Sequence, residues 1–163
     1  MTSIAVTFEG LDAAKAKLAA LSHLDFHVLL ESLAVEGMEQ TRRRLEEEKT
    51  SPAGVAWKPT LDGRGALFVT GALARSVGHA STATQAVWGV PAEPVSGRPY
   101  ARIHNFGGVI RPKNARVLSF EIGGKRVFAK TVTIPQREYL GVSDANARDL
   151  EATAAKFIER RWR

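Results

Sequence analysis

Gly123-Gly124 lies between two stretches in which every second residue is apolar, and no other feature restricts this chain's folding options as strongly. Leu118, Phe120 and Ile122 share one face before the glycines, and Val127 and Ala129 return on that face after them. Paired glycines accept the positive backbone angles of a type I′ turn, whose twist matches that of antiparallel strands. The resulting register sets Phe120 opposite Val127 and Glu121 opposite Arg126, one apolar pair and one ion pair. The hairpin is expected over Val117–Ile134, and Pro135 closes it by removing a ladder donor.

Helical periodicity flanks this β signal on both sides. Asp25 to Lys49 carries Phe26, Leu29, Leu30, Leu33 and Met38 on one stripe, with Asp25 as its cap. Its far end holds Arg42, Arg43 and Arg44, each four residues before Glu46, Glu47 and Glu48. Such pairs contribute only about 0.2–0.5 kcal/mol each. The charged end therefore reads as a solvated extension that leaves the core and can reach a neighbour. A second helix from Ser143 to Trp162 buries Ala147, Leu150, Ala154, Phe157 and Ile158, capped by Ser143 or Asp144. Between them, Thr70 caps a short helix with Leu73 and Val77, Gln85–Val90 reads as a strand, and a short helix over Tyr100–Phe106 stops at Gly107-Gly108. Thr50–Gly65 and Pro91–Pro99 read as long loops. At the N-terminus, residues 2–8 alternate as a short strand, and Leu11–Leu21 is modestly amphipathic.

These elements predict one α+β domain over residues 1–163: a mainly antiparallel sheet packed by a long helix in the N-terminal half and a C-terminal helix, with long projecting loops. Residues 1–22 form a strand/helix extension. A chain of 163 residues buries enough surface for one ordinary core. It contains no cysteine, which excludes a disulfide scaffold, a thiol nucleophile and a thiolate zinc site, and fits a reducing cytoplasm. Neither a secretory leader nor an apolar run long enough for a membrane span is visible.

The formal charge of +6 is concentrated. From Gly97 to Arg137 stand Arg98, Arg102, Arg111, Lys113, Arg116, Lys125, Arg126, Lys130 and Arg137, against the single acid Glu121. A basic face of this kind meets DNA, RNA or an acidic protein surface, or is merely solvated.

Catalytic readings find little support. His104 titrates in the right range for a base, yet Gly97–Arg116 contains no carboxylate to orient it. It reads as a packing or helix-end histidine. His23 and His27 have a metal-like four-residue spacing without a completing Glu or Cys. Neither glycine pair is followed by the lysine of a phosphate loop. Ser76, Asp62 and His104 have no local triad context. No catalytic residue, metal or cofactor is therefore expected. Trp57, alone in its loop, is either a plug that anchors the loop or a contact anchor for a partner.

Four segments stand in order along the chain: Ser51-Pro-Ala-Gly-Val-Ala-Trp57, Leu67-Phe-Val-Thr-Gly-Ala-Leu-Ala-Arg-Ser-Val77, Tyr100-Ala-Arg-Ile-His-Asn-Phe-Gly-Gly108 and Ile134-Pro-Gln-Arg-Glu-Tyr-Leu-Gly141. Taken together they resemble the phage virion morphogenesis, or tail completion, family. The likeness covers roughly Asp25 to Arg160 and leaves residues 2–22 outside. It departs where the family usually has Gln in place of Asn105, and small residues then Pro in place of Gln136 and Glu138 around Arg137.

The resemblance implies a structural protein of the phage neck or tail end that joins tail to head. It would act as a ring of copies, meeting the connector and the tail tube or terminator, with transient contact to genomic DNA and none to a membrane. Assembly would take place in the bacterial host cytoplasm before incorporation into the virion. Interface or DNA-facing candidates are Arg42, Arg43, Arg44, Trp57, Arg111, Lys113, Arg116, Lys125, Arg126, Lys130 and Arg137. Gly71, Gly107, Gly108 and Gly141 would permit turns or close approach, with Tyr100, His104 and Pro135 as further motif residues. Leu73, Ile103, Phe106, Tyr139 and Leu140 would pack the joints, and Arg137 could clamp a carboxylate or backbone carbonyls. A DNA- or RNA-binding module using residues 97–137 is the alternative.

Overall fold

The computed structural model describes residues 25–61, 63, 65–91 and 100–162, together with positions 16 and 19. The expected first strand, His23, Asp62 and residues 92–99 lie outside the described residues.

Helix α1 spans Phe26–Arg43, opened by Asp25, whose carboxylate accepts from the His27 amide at 3.0 Å. Leu29, Ala34, Gly37, Met38, Gln40 and Thr41 face inward at helical spacing. Phe26 does not join them; it is 46% exposed, at the outer end of the stripe. Glycine in mid-helix is intrinsically unfavourable, and its reason here is tertiary. A Cβ on Gly37 would stand 2.4 Å from the Trp88 ring, so the indole rests on the helix backbone. After Arg43 the helix widens into a π-helical turn, Arg44–Glu48, closed by Lys49 at φ 55°. This end was expected to be a solvated extension. Instead Arg44 and Leu45 are buried, because the turn carries the inward stripe of Ala34, Gly37 and Thr41 one step further.

The short helix α2, Ala72–Ser76, leads into β1 (Gly78–Ser81), which pairs antiparallel with β2 (Ala86–Gly89), His79 opposite Trp88. Helix α3, Tyr100–Phe106, ends at Gly107 with φ +71°. Then come β3 (Gly108–Ile110), β4 (Leu118–Ile122), β5 (Lys125–Ala129) and β6 (Val132–Ile134). Helix α4, Asp144–Trp162, begins at Ser143, whose hydroxyl accepts from the Asn146 amide at 3.2 Å. Its inward positions are half-buried, with Asn146 fully so.

The turn Gly123-Gly124 has φ of 56° and 78°, and β4 pairs β5 in the expected register. Two details differ from expectation. The hairpin stops at Ala129, and Val132–Ile134 leaves it to pair with β3, Gly108 opposite Ile134. There is also no continuous sheet among the described residues: the strands form three separate two-stranded antiparallel ribbons. The strands are only three to five residues long, and of the three ribbons it is β1–β2 that lies against helix α1. The core gathers Met38, Leu45, Leu73, Ala74, Val77 and Tyr139, with Trp57, Trp88 and Leu140 packed against it.

Candidate functional site

Residues 135–141 cross the core without regular secondary structure, so their backbone polar groups need partners that no ladder provides. Side chains from distant segments supply them. The Asn105 carbonyl oxygen accepts from both the Tyr139 amide (3.0 Å) and the Leu140 amide (3.1 Å). Trp57 Nε1 donates to Glu138 O at 3.0 Å. Arg44 Nη1 donates to Tyr139 O (3.0 Å) and Gly141 O (2.9 Å), while its Nη2 reaches Asn146 Oδ1 at 2.5 Å. The Tyr139 hydroxyl donates to Ala101 O at 3.2 Å, and the Arg137 amide to His104 O at 2.8 Å. Two glycines let the seam close. A Cβ on Gly107 would meet Gln136 N at 2.9 Å, and one on Gly141, at φ +141°, would meet Pro52 at 2.7 Å.

Charge inside this seam is costly and correspondingly well solvated. Arg44 is only 1% exposed; burial lowers its pKa, and Glu48, 3.8 Å from Nε, works in the other direction. Burial pushes the Tyr139 phenol up to about 12, helped by Tyr100. His104 is held below the usual imidazole range by burial and by the nearby Arg137 cation. Its ring meets Tyr100 edge-on at 6.4 Å.

The candidate residues divide between interior and surface. Arg44 and Arg137 are buried, so neither belongs to an exposed basic face, although Arg137 lines a solvent-open cavity. Arg137 instead clamps Lys58 O (2.9 Å) and Pro59 O (3.1 Å) with its planar fork. Arg42 is half-buried and bridges Glu39 and Val77 O, both at 2.9 Å. Arg43 pairs with Glu48, five residues ahead at 3.1 Å, because the π-turn advances the helix face. Trp57 is half-buried and fastens its loop. Arg111, Lys113, Arg116, Lys125, Arg126 and Lys130 are all exposed around the β3–β6 and β4–β5 ribbons. Gly71 is buried at φ +68°, Leu73 and Leu140 join the core region, and Pro135 follows the last residue of β6. Gly108 packs closely on Ile103. Phe106, expected in a joint, is 66% exposed because α3 turns it outward.

A second polar group links α1 to β1. Glu31 accepts from Ser81 Oγ at 2.5 Å and lies 3.0 Å from His79 Nε2, which together lower its pKa. His27 Nε2 is 3.4 Å from Ser81 Oγ. The carboxylate here bonds the serine directly, whereas a nucleophilic triad needs the histidine between them. Among the described residues no cluster of three His, Cys, Asp or Glu could hold a metal ion. No described helix is long and apolar enough to cross a membrane.

The chain is a small α+β scaffold in which several motif residues fasten one irregular segment while the lysines and arginines of the ribbons stay outside. The chain belongs to the phage virion morphogenesis family, whose sequence model matches residues 6–159. The match begins well before Asp25, so most of the N-terminal extension belongs to the family region. No curated protein and no solved structure matches it. Membership assigns the chain a structural or assembly role in building phage particles.

Proposed function

We propose that this protein is a non-enzymatic joint of the phage neck, a tail completion protein that acts as a ring of copies and links the finished tail to the head. The observation that carries this reading is the β4–β5 hairpin. Its apolar face is only half-buried, and Phe128 on the opposite face is 63% exposed. A two-stranded ribbon is marginal in water by itself, so a half-buried apolar face on it calls for cover from a neighbour. Ring contacts are heterologous, each copy offering one face to a different face of the next, and such a projection suits that geometry. Connector and tail tube or terminator proteins are the partners this role requires, first in the host cytoplasm and then in the virion.

Light scattering on the purified chain, alone and with neck and tail proteins, tests the proposal together with imaging of particles from a deletion strain. Discrete assemblies and unjoined heads and tails are expected. A permanently monomeric chain, with joined infectious particles made in its absence, overturns it.

Nucleic-acid binding is the second reading, favoured by the exposed lysines and arginines of the two ribbons. Phosphate binding weakens steeply with salt. A flat salt response with duplex DNA and RNA removes it.

A further inference from the structure

Arg137 is 5% exposed, and its Nε and Nη2 donate to the carbonyls of Lys58 and Pro59. Carbonyl dipoles solvate a cation without cancelling its charge, and an unpaired buried charge is expensive. Arg44, equally buried, has Glu48 within 4 Å. Among the described residues no carboxylate comes within ion-pair distance of Arg137.

Arg137 lines a solvent-open cavity of about 410 Å³, as does His104. His104 Nδ1 is sealed and has no hydrogen-bond partner among the described residues. A sealed lone pair is less unfavourable than a sealed N–H, so the proton belongs on Nε2, where the ring can donate. The rest of the lining is largely apolar, with Leu67, Val69 and Leu73, and includes the hydroxyl-bearing Thr60, Thr70 and Tyr100. Leu67 is held at φ 61°, a left-handed conformation costly for leucine and seen where surrounding structure dictates the shape of a site.

We infer that this cavity receives a carboxylate side chain on an acidic segment of another protein of the particle, anchored by Arg137 and His104. The segment's neighbouring apolar residue packs on Leu67, Val69 and Leu73. The inference rests on the assembly role proposed above and names the chemistry of one partner. Charge selects against a second copy's basic face, since Gly97–Arg137 carries nine basic residues and one acid. The apolar walls select against a nucleic-acid phosphate, which would lose its hydration there without apolar neighbours of its own.

The test is NMR titration of the labelled full-length protein with N-acetyl-Leu-Glu-Leu-amide and with its Gln counterpart. The Glu peptide is expected to shift the His104 ring and Arg137 Nε–H signals saturably and to raise the His104 protonation midpoint; the Gln peptide leaves them in place. Val69→Trp narrows the mouth from an exposed position without altering Arg137, and should weaken binding at least tenfold. Arg111→Gln should change it less than twofold.

Equal shifts from both peptides reduce the site to an apolar slot and overturn the inference. So do shifts that follow self-association or shifts produced by duplex DNA. A site that binds as expected in a protein whose deletion leaves particles joined upholds the site and removes the assembly role. A silent site in a protein essential for joining does the reverse.

Discussion

The seam around residues 135–141 and the β4–β5 hairpin contrast in how they are held. The hairpin is local: two strands, a Gly-Gly turn and pairs between residues close in sequence. The seam is assembled from afar, with Arg44 reaching Tyr139 and Gly141, Trp57 reaching Glu138, and Asn105 reaching Tyr139 and Leu140. The backbone amides and carbonyls of the seam named above find their partners within the chain. Much of the hairpin's surface, including Phe128, is exposed. Stability should therefore reside in the seam, and partner contact in the hairpin.

The largest effect expected from breaking this contrast is at Arg44. Arg44→Ala strands the Tyr139 and Gly141 carbonyls and the Asn146 side chain, and losing a buried charged anchor typically costs about 3–5 kcal/mol. Urea denaturation measures it, and a loss below about 1 kcal/mol, the size of one ordinary hydrogen bond, would show that the seam does not hold the fold. Next comes Asn105→Leu, which leaves two buried amides without an acceptor at about 1–3 kcal/mol each. Asn105→Gln keeps the carboxamide and should recover much of that loss, as the resemblance to the family suggests.

Gly37→Ala drives a methyl group into the Trp88 indole and should cost about 1–3 kcal/mol. Combined with Trp88→Leu, the two losses should be less than additive, since the clash disappears. The pH response is smaller. The folded His104 imidazole has a lowered pKa, so the unfolded chain binds more protons, and stability falls as pH drops below about 6.5 towards the depressed value. His104→Gln should flatten that limb of the stability profile. Smallest for folding is Lys125→Gln with Arg126→Gln, expected within about 0.5 kcal/mol of the parent because both side chains are exposed. The same pair should abolish association with neck partners in light scattering. If it unfolds the chain instead, the division between seam and hairpin fails.

Legibility in the sequence follows the same division. Gly123-Gly124 and the alternation around it specify a hairpin and its register through pairs three to eleven residues apart. Asp25 and Ser143 are readable as caps for the same reason. Arg44 was not readable as an anchor, because Arg42 to Glu48 looks like a solvated charge ladder. Its position on the Ala34–Gly37–Thr41 stripe was the available signal. The single sheet expected from the strand pattern became three ribbons, since strand alternation shows which face is apolar but not which strand lies beside it. Phe106 sits in a motif, yet the sequence does not show which way α3 turns it.

By itself the sequence determined the helices, the hairpin register, the basic surplus of residues 97–137 and the order of the family segments. Tertiary structure alone decided that those segments converge on one irregular strap, that two arginines leave the surface for its interior, and that Gly37 makes room for Trp88. The physical reason is range. Turn angles, caps and side-chain alternation depend on neighbours a few residues away, whereas satisfying a buried carbonyl or a buried charge depends on which distant segment the packed chain brings to it.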